Sequence, residues 1–200
     1  MSNNKEVLEL LDKHKISEVV SNWAFYRDQR AFDKLKTCFH PDATIQVSFY
    51  SGSADGFIQK IKMSKKGNVK HLVGNIRIEL KGERAIAESN TTVMLRRRFF
   101  DIEADLTCYL RFFDLFEKRD TIWRIADRTG IYEKDNMLPV ELSDHLDLRK
   151  LESYPPYCRH LCFYLENVQG ISGISSFPIV GTDSDAEREI FKKGEEWLAG

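Results

Sequence analysis

The hydrophobic period of this sequence changes once along the chain, and this change constrains the fold more than any other feature. Between residues 5 and 39, apolar residues recur every three or four positions with charges between them, which predicts two helices separated by a polar break at residues 27–30. Pro41 ends this region, because proline disfavours helical backbone in the residue before it. From residue 70 to residue 134, four segments with alternating apolar residues and short turns between them predict an antiparallel meander.

A shorter strand and a shorter helix are predicted between these two regions. Ile45, Val47 and Phe49 alternate with polar residues, which is typical of a half-buried strand. We expect a turn at residues 51–54 and then a short helix around residues 57–62.

Helices first and sheet later predict an α+β fold. The simplest way to bury both apolar surfaces is to lay the amino-terminal helices across one face of a strongly curved sheet, which leaves a cone with one open end and a pocket. We assign residues 1–136 to this cone and residues 137–200, rich in Pro, Gly and Ser, to a carboxy-terminal extension that is helical or irregular. A final helix would carry Phe191 and Trp197 on an apolar stripe, which needs either the cone or a neighbouring subunit as its partner.

Charge and cysteine content narrow the classes of function and location. The 30 basic and 31 acidic residues give a net charge of −1, which does not favour nucleic-acid binding. No secretion signal or membrane-spanning segment is predicted, so we expect a cytoplasmic protein without a membrane partner. The four cysteines are expected to be free thiols, and no metal is expected, because Cys158, His160 and Cys162 lack a second ligand cluster.

Four segments of the chain, residues 23–32, 38–43, 70–75 and 122–135, together carry a family resemblance. In their order and spacing they resemble the SnoaL-like branch of the nuclear-transport-factor-2-like superfamily, over residues 8–135. This branch includes scytalone dehydratase, bile-acid 7α-dehydratase, hexachlorocyclohexane dehydrochlorinase and polyketide cyclases. The resemblance implies a cone-shaped fold that is shared with the β subunits of aromatic-ring dioxygenases.

The resemblance implies a catalytic pair formed by Asp28 and His71, which match the aspartate and histidine of the elimination enzymes in this family. A carboxylate that accepts a hydrogen bond from one imidazole nitrogen makes the other nitrogen a better base for removing a proton from carbon. Tyr50 matches the pocket tyrosine of the family. The further substrate-binding residues that we predict are Trp23, Tyr26, Tyr109, Arg111 and Arg96. Family dehydratases carry a tyrosine one or five residues before the aspartate, where this chain has Arg27 and Trp23, so the resemblance does not transfer specificity.

Each of these residues also has a structural interpretation. Asp28 could cap the second helix, since aspartate is favoured at that position. Strict alternation from Ile76 would turn His71 towards solvent, unless a bulge at Gly74 switches the face of the strand. The basic and aromatic run at residues 96–100 is read as a solvated hairpin rather than a site for single-stranded nucleic acid.

These observations predict a cofactor-independent enzyme that acts on a small, largely apolar, cyclic or aromatic compound. The favoured reaction class is a lyase of the dehydratase type, followed by an isomerase or cyclase. These classes are considered together because all three reactions begin with proton movement at carbon. The sequence carries no phosphate-loop, metal-triad or flavin signature, so nothing in it requires a cofactor. We expect a homo-oligomer, either a trimer or a dimer. The alternatives are a ligand-binding protein with an inactive pair and a non-catalytic scaffold subunit, like the β subunit of aromatic-ring dioxygenases.

Overall fold

The fold begins with the two predicted helices, α1 (Ser2–Gln29) and α2 (Phe32–Lys36). The structure is a computed structural model, and it describes residues 2–64, 67–99, 102–140 and 148–200. Arg30 adopts a left-handed backbone with a φ of 56° and turns the chain between the helices. The apolar stripe of α1 is buried from Ile16 onwards, whereas Leu8 remains mostly exposed.

A seven-stranded, mostly antiparallel sheet forms the second layer of the described residues. Its strands are β1 (Phe39–Val47), β2 (Tyr50–Ser53), β3 (Val69–Lys81), β4 (Arg84–Phe99), β5 (Ile102–Arg119), β6 (Ile122–Pro139) and β7 (Val180–Gly181). The order is β2-β1-β6-β5-β4-β3, with β7 also paired to β6, and β6 is parallel to both β1 and β7. The predicted α+β class and the meander from β3 to β6 are confirmed. The turn predicted at residues 100–102 and the polar loop at 64–68 include positions outside the described residues.

The segment after β1 corrects the sequence-based expectation. The turn predicted at residues 51–54 is wrong, because the chain turns at Ser48 and Phe49 and returns as β2 beside β1. The helix that follows, α3 (Ala54–Met63), was predicted correctly. The Ser53 hydroxyl caps α3 by accepting a hydrogen bond from the backbone N–H of Gly56 at 3.1 Å.

A β-bulge interrupts β3 where the sequence suggested one. The register between β3 and β4 shifts between Val73 and Ile76, so Gly74 and Asn75 are both exposed. The extra residue switches the alternation and turns the His71 side chain inwards. The alternative of a solvent-facing His71, which strict alternation would give, is therefore wrong.

The chain after β6 covers both faces of the sheet. It contains two 3₁₀ segments, Leu148–Ser153 and Ile174–Ser176, and the helices α4 (Arg159–Asn167) and α5 (Asp185–Ala199). Asp135 of β6 holds the start of α4, because its carboxylate pairs with His160 Nδ1 at 2.8 Å and accepts the backbone N–H of Leu161 at 2.8 Å.

Helix α5 packs against the outer face of its own sheet. Phe191 contacts Phe113 edge-on with ring centroids 5.3 Å apart, and the Trp197 indole donates to the carbonyl of Phe116 at 3.1 Å. Gly194 lets the helix approach, since a Cβ there would lie 2.7 Å from the Phe113 ring. The aromatic stripe for which a neighbouring subunit was one expected partner is thus packed within the chain. Among the described helices, none is long and apolar enough to cross a membrane.

Candidate active site

Asp28 and His71 form a direct pair at the junction of α1 and β3. Asp28 Oδ1 lies 2.5 Å from His71 Nδ1, and Asp28 Oδ2 accepts the backbone N–H of His71 at 2.9 Å. Because a carboxylate only accepts, this contact assigns the ring proton to Nδ1 and leaves Nε2 with a free lone pair. The two side chains are only 11% and 8% exposed, respectively. Helix α2 has no side-chain cap, and its N-cap residue is Ala31, so the capping interpretation of Asp28 is wrong.

Burial and the hydrogen bonds act in opposite directions on this pair. Burial lowers the pKa of His71 below its ordinary value, while the hydrogen bond that its ring donates to Asp28 opposes that shift. Burial alone would raise the pKa of Asp28, but the two hydrogen bonds from His71, together with nearby positive charge such as that of Lys70 at 3.8 Å, outweigh it and lower the pKa. At neutral pH the pair therefore consists of a neutral imidazole and an ionised carboxylate, which is the state that a general base requires.

Trp23 packs against the His71 ring, and a buried ion pair packs against Trp23. The Trp23 indole meets the His71 ring edge-on at 5.3 Å between centroids. The guanidinium of Arg128 lies 4.2 Å from the Trp23 ring centroid and 4.3 Å from that of Phe112. Asp114 binds this guanidinium through two contacts of 2.6 Å, and both charged side chains are 0% exposed. The floor of the site is thus fixed by packing and by a two-pronged ion pair.

A cavity of about 960 Å³ lies between the helices and the inner face of the sheet, and His71 forms part of its wall. This volume is at the upper end of the range of about 300–1,000 Å³ that is typical of small-molecule sites. The wall is largely apolar and includes Trp23, Val47, Phe57, Leu110, Phe112 and Leu161. Because α4 supplies Leu161, Tyr164 and Leu165, the carboxy-terminal segment completes the cavity of its own chain.

Tyr109 and Arg111 lie on the outer face of the sheet, which corrects their predicted role at the cavity. They alternate along β5 with Cys108, Leu110 and Phe112, which face inwards. The Arg111 side chain is held outside the cavity by three carboxylates, those of Glu88, Glu133 and Glu187. The ring of Tyr109 faces the ammonium group of Lys134, 5.0 Å away.

Of the remaining predicted substrate-binding residues, Trp23 and Arg96 belong to the described cavity lining, whereas Tyr26 and Tyr50 do not. The Tyr50 hydroxyl donates to the carbonyl of Ser53 at 3.0 Å, so it is occupied within β2. Arg96 lies at the cavity margin, where two contacts of 2.6–2.7 Å pair it with Asp105 on an exposed surface.

The lining residues that were not predicted from the sequence include two arginines and a tyrosine. Arg27 and Arg97 line the cavity, and Tyr164 of α4 accepts a hydrogen bond from Arg97 Nε at 2.9 Å. Arg27 had a signal, because it stands where family dehydratases have a tyrosine. Tyr164 had none, since it reaches the cavity only through the packing of α4.

Solved structures share the cone fold of this chain. A hexachlorocyclohexane dehydrochlorinase of type 2 superimposes with a TM-score of 0.58 at 13% identity, over 70% of this chain and 99% of that one. A protein from Novosphingobium aromaticivorans named as a candidate scytalone dehydratase gives a TM-score of 0.57 at 16% identity, over 74% of this chain and 98% of that one. At these identities the likeness shows a common fold.

Sequence comparison shows the family. Pea pathogenicity protein 2 of Fusarium vanettenii is 29% identical over 206 aligned residues, which cover 95% of this chain and 87% of that protein. This similarity extends well into the carboxy-terminal segment. The SnoaL-like domain matches residues 8–129. The chain, with its helices laid on a curved sheet around a cavity, therefore belongs to the SnoaL-like family of the nuclear-transport-factor-2-like superfamily.

Proposed function

We propose that this protein is a cofactor-independent enzyme that removes a proton from carbon in a cyclic or aromatic substrate, with His71 as the general base and Asp28 as its orienting partner. The observation that carries the proposal is the 2.5 Å contact between His71 Nδ1 and Asp28 Oδ1 in the wall of a large apolar cavity. This contact leaves Nε2 free to accept a proton from a bound compound.

Elimination is the proposed reaction class, with isomerisation or cyclisation as variants of the same first step. In an elimination of water from a β-hydroxy ketone, His71 Nε2 takes the proton on the carbon between the two oxygenated carbons. The electron pair of that C–H bond forms the new double bond, and the C–O bond breaks as the hydroxyl leaves. The hydroxyl takes a proton and departs as water, and His71 then returns its proton to solvent. No electrons are exchanged with an outside acceptor.

The test detects proton abstraction whatever step follows it. The full-length protein is incubated in D₂O with α-tetralone, its β-hydroxy derivative and a carboxylated α-tetralone, and proton NMR follows exchange next to the carbonyl. For the β-hydroxy compound, loss of water followed by tautomerisation yields α-naphthol, which is fluorescent. We expect enzyme-dependent exchange or elimination that falls by at least about 100-fold in His71→Gln, the range for loss of a general base.

The control is His14→Gln, which removes a histidine that faces Glu18 at 3.9 Å on the exposed surface of α1, outside the described lining of the cavity. It should retain the activity. Exchange with none of the three compounds, or equal loss in both variants, would overturn the proposal. Tight binding of these compounds without exchange would instead favour a ligand-binding protein.

A further inference from the structure

The cavity contains a guanidinium beside the proposed base that no carboxylate of the described residues binds directly. Arg27 precedes Asp28 on α1, lines the same cavity as His71 and is half-buried. Its guanidinium makes no hydrogen bond or ion pair with any side chain or carbonyl in the described ranges. Burial lowers the pKa of Arg27 to about 10, so the group still carries its charge at neutral pH. A partly desolvated, unpaired charge is unfavourable until an anion joins it.

A second guanidinium, that of Arg97 on β4, faces the same space. Its Nε donates to the Tyr164 hydroxyl at 2.9 Å, and its Nη1 donates to the carbonyls of Asn68 at 3.1 Å and Arg96 at 2.7 Å. All three acceptors are uncharged. The carboxylate of Asp28 opposes the lowering of the pKa of Arg27, whereas the like charges of Arg30 and Arg97 add to it.

Other arginines of this chain form direct ion pairs with carboxylates. Arg96 at the cavity margin is bound by Asp105, Arg111 by three glutamates and Arg128 by Asp114. By contrast, within the described part of the chain no carboxylate pairs with Arg27 or Arg97. The described lining therefore combines apolar walls with Arg27 and Arg97, which have no carboxylate within ion-pair distance, and it also includes Lys60 and Glu103.

We propose that the cavity binds a cyclic or aromatic carboxylate, with the carboxylate group held by Arg27 and Arg97 and the ring against the apolar wall. The forked, planar guanidinium matches a carboxylate through two parallel hydrogen bonds. Because Arg27 is adjacent in sequence to Asp28, this anchor lies close to His71, and its charge contributes to lowering the pKa of His71. The step at His71 rests on the proposed function, whereas the anion site does not. The inference adds a negative charge to the largely apolar substrate expected from the sequence.

Isothermal titration calorimetry with a matched pair of probes tests this site. β-Naphthoate and β-naphthamide have the same ring and nearly the same shape, and only the first carries a charge. We expect the full-length protein to bind the carboxylate at least about tenfold more tightly, because hydrogen bonds between charged partners are among the strongest in proteins. Arg27→Met and Arg97→Met should each weaken naphthoate binding by a similar factor and change naphthamide binding by less than about twofold.

The control variant is Arg119→Met, which removes a guanidinium outside the described lining that Asp42 and Glu117 already neutralise, and it should keep the preference. Thermal melting of each variant checks that the fold is intact. No binding of naphthoate, equal affinity for both probes, or a preference that survives both Arg27→Met and Arg97→Met would refute the inference. The variant His71→Gln separates the two proposals. If it binds naphthoate normally while the wild type shows no proton exchange, the anion site stands and the proposed reaction fails.

Discussion

Replacing Asp114 with alanine removes one half of a fully buried ion pair. Asp114 and Arg128 are both 0% exposed and are joined by two contacts of 2.6 Å, and Arg128 Nη1 already lacks a hydrogen-bond partner among the described residues. Breaking such a pair by removing one partner costs about 3–5 kcal/mol, because the remaining charge stays buried. With total stabilities of about 5–15 kcal/mol, this single change consumes a large share of the folding free energy.

Urea unfolding followed by circular dichroism measures the effect. With a slope of about 2 kcal/mol per molar urea, the midpoint should fall by about 1.5–2.5 M. The matched control is Asp42→Ala, which breaks the exposed pair of Asp42 with Arg119, and there the loss should stay below about 1 kcal/mol. The double variant Asp114→Leu with Arg128→Met should recover most of the stability, because it leaves no unpaired charge. A loss below about 1 kcal/mol in Asp114→Ala would refute the reasoning.

Two further changes test the pair and the outer helix. NMR titration should give His71 a pKa below its ordinary value of about 6.5, and Asp28→Asn should lower it further; a raised value would contradict the burial argument. Since the unfolded chain then binds more protons than the folded one just below pH of about 6.5, stability should fall as the pH drops through this window, and His71→Gln should lack this contribution. Gly194→Ala places a methyl group 2.7 Å from the Phe113 ring, so α5 should dock less well and become more sensitive to proteolysis. We expect this loss even though alanine favours helices over glycine by about 1 kcal/mol. Unchanged resistance to proteolysis would show that the contact relaxes freely.

The order of elements was predictable because local periodicity carries it. The change of period after α2 identifies the helices, and the alternation along β3 to β6 identifies the meander. The turn at residues 51–54 was wrong because the four residues of β2 gain strand structure from pairing with β1, which local sequence does not encode.

The site was predictable only in part, because the inner face of a strand cannot be identified when both faces are covered. In β5, the consecutive residues Phe112, Phe113, Asp114 and Leu115 are all buried, since α5 covers the outer face there. Before that point, however, alternation places Arg111 on the face opposite Leu110 and Phe112, so its predicted role at the cavity did not follow from the pattern. For His71, by contrast, the sequence could predict the direction of the side chain once a bulge at Gly74 was considered.

The wall that α4 adds to the cavity has a consequence for biosynthesis. All residues of the sheet except β7 precede α4 in the chain, so a ribosome synthesises α1 to α3 and the long strands before Leu161 and Tyr164 exist. During that interval the apolar interior of the cone is open on the side that α4 will cover. Nascent chains with exposed apolar surface are prone to aggregation, and this protein passes through such a stage at every round of translation.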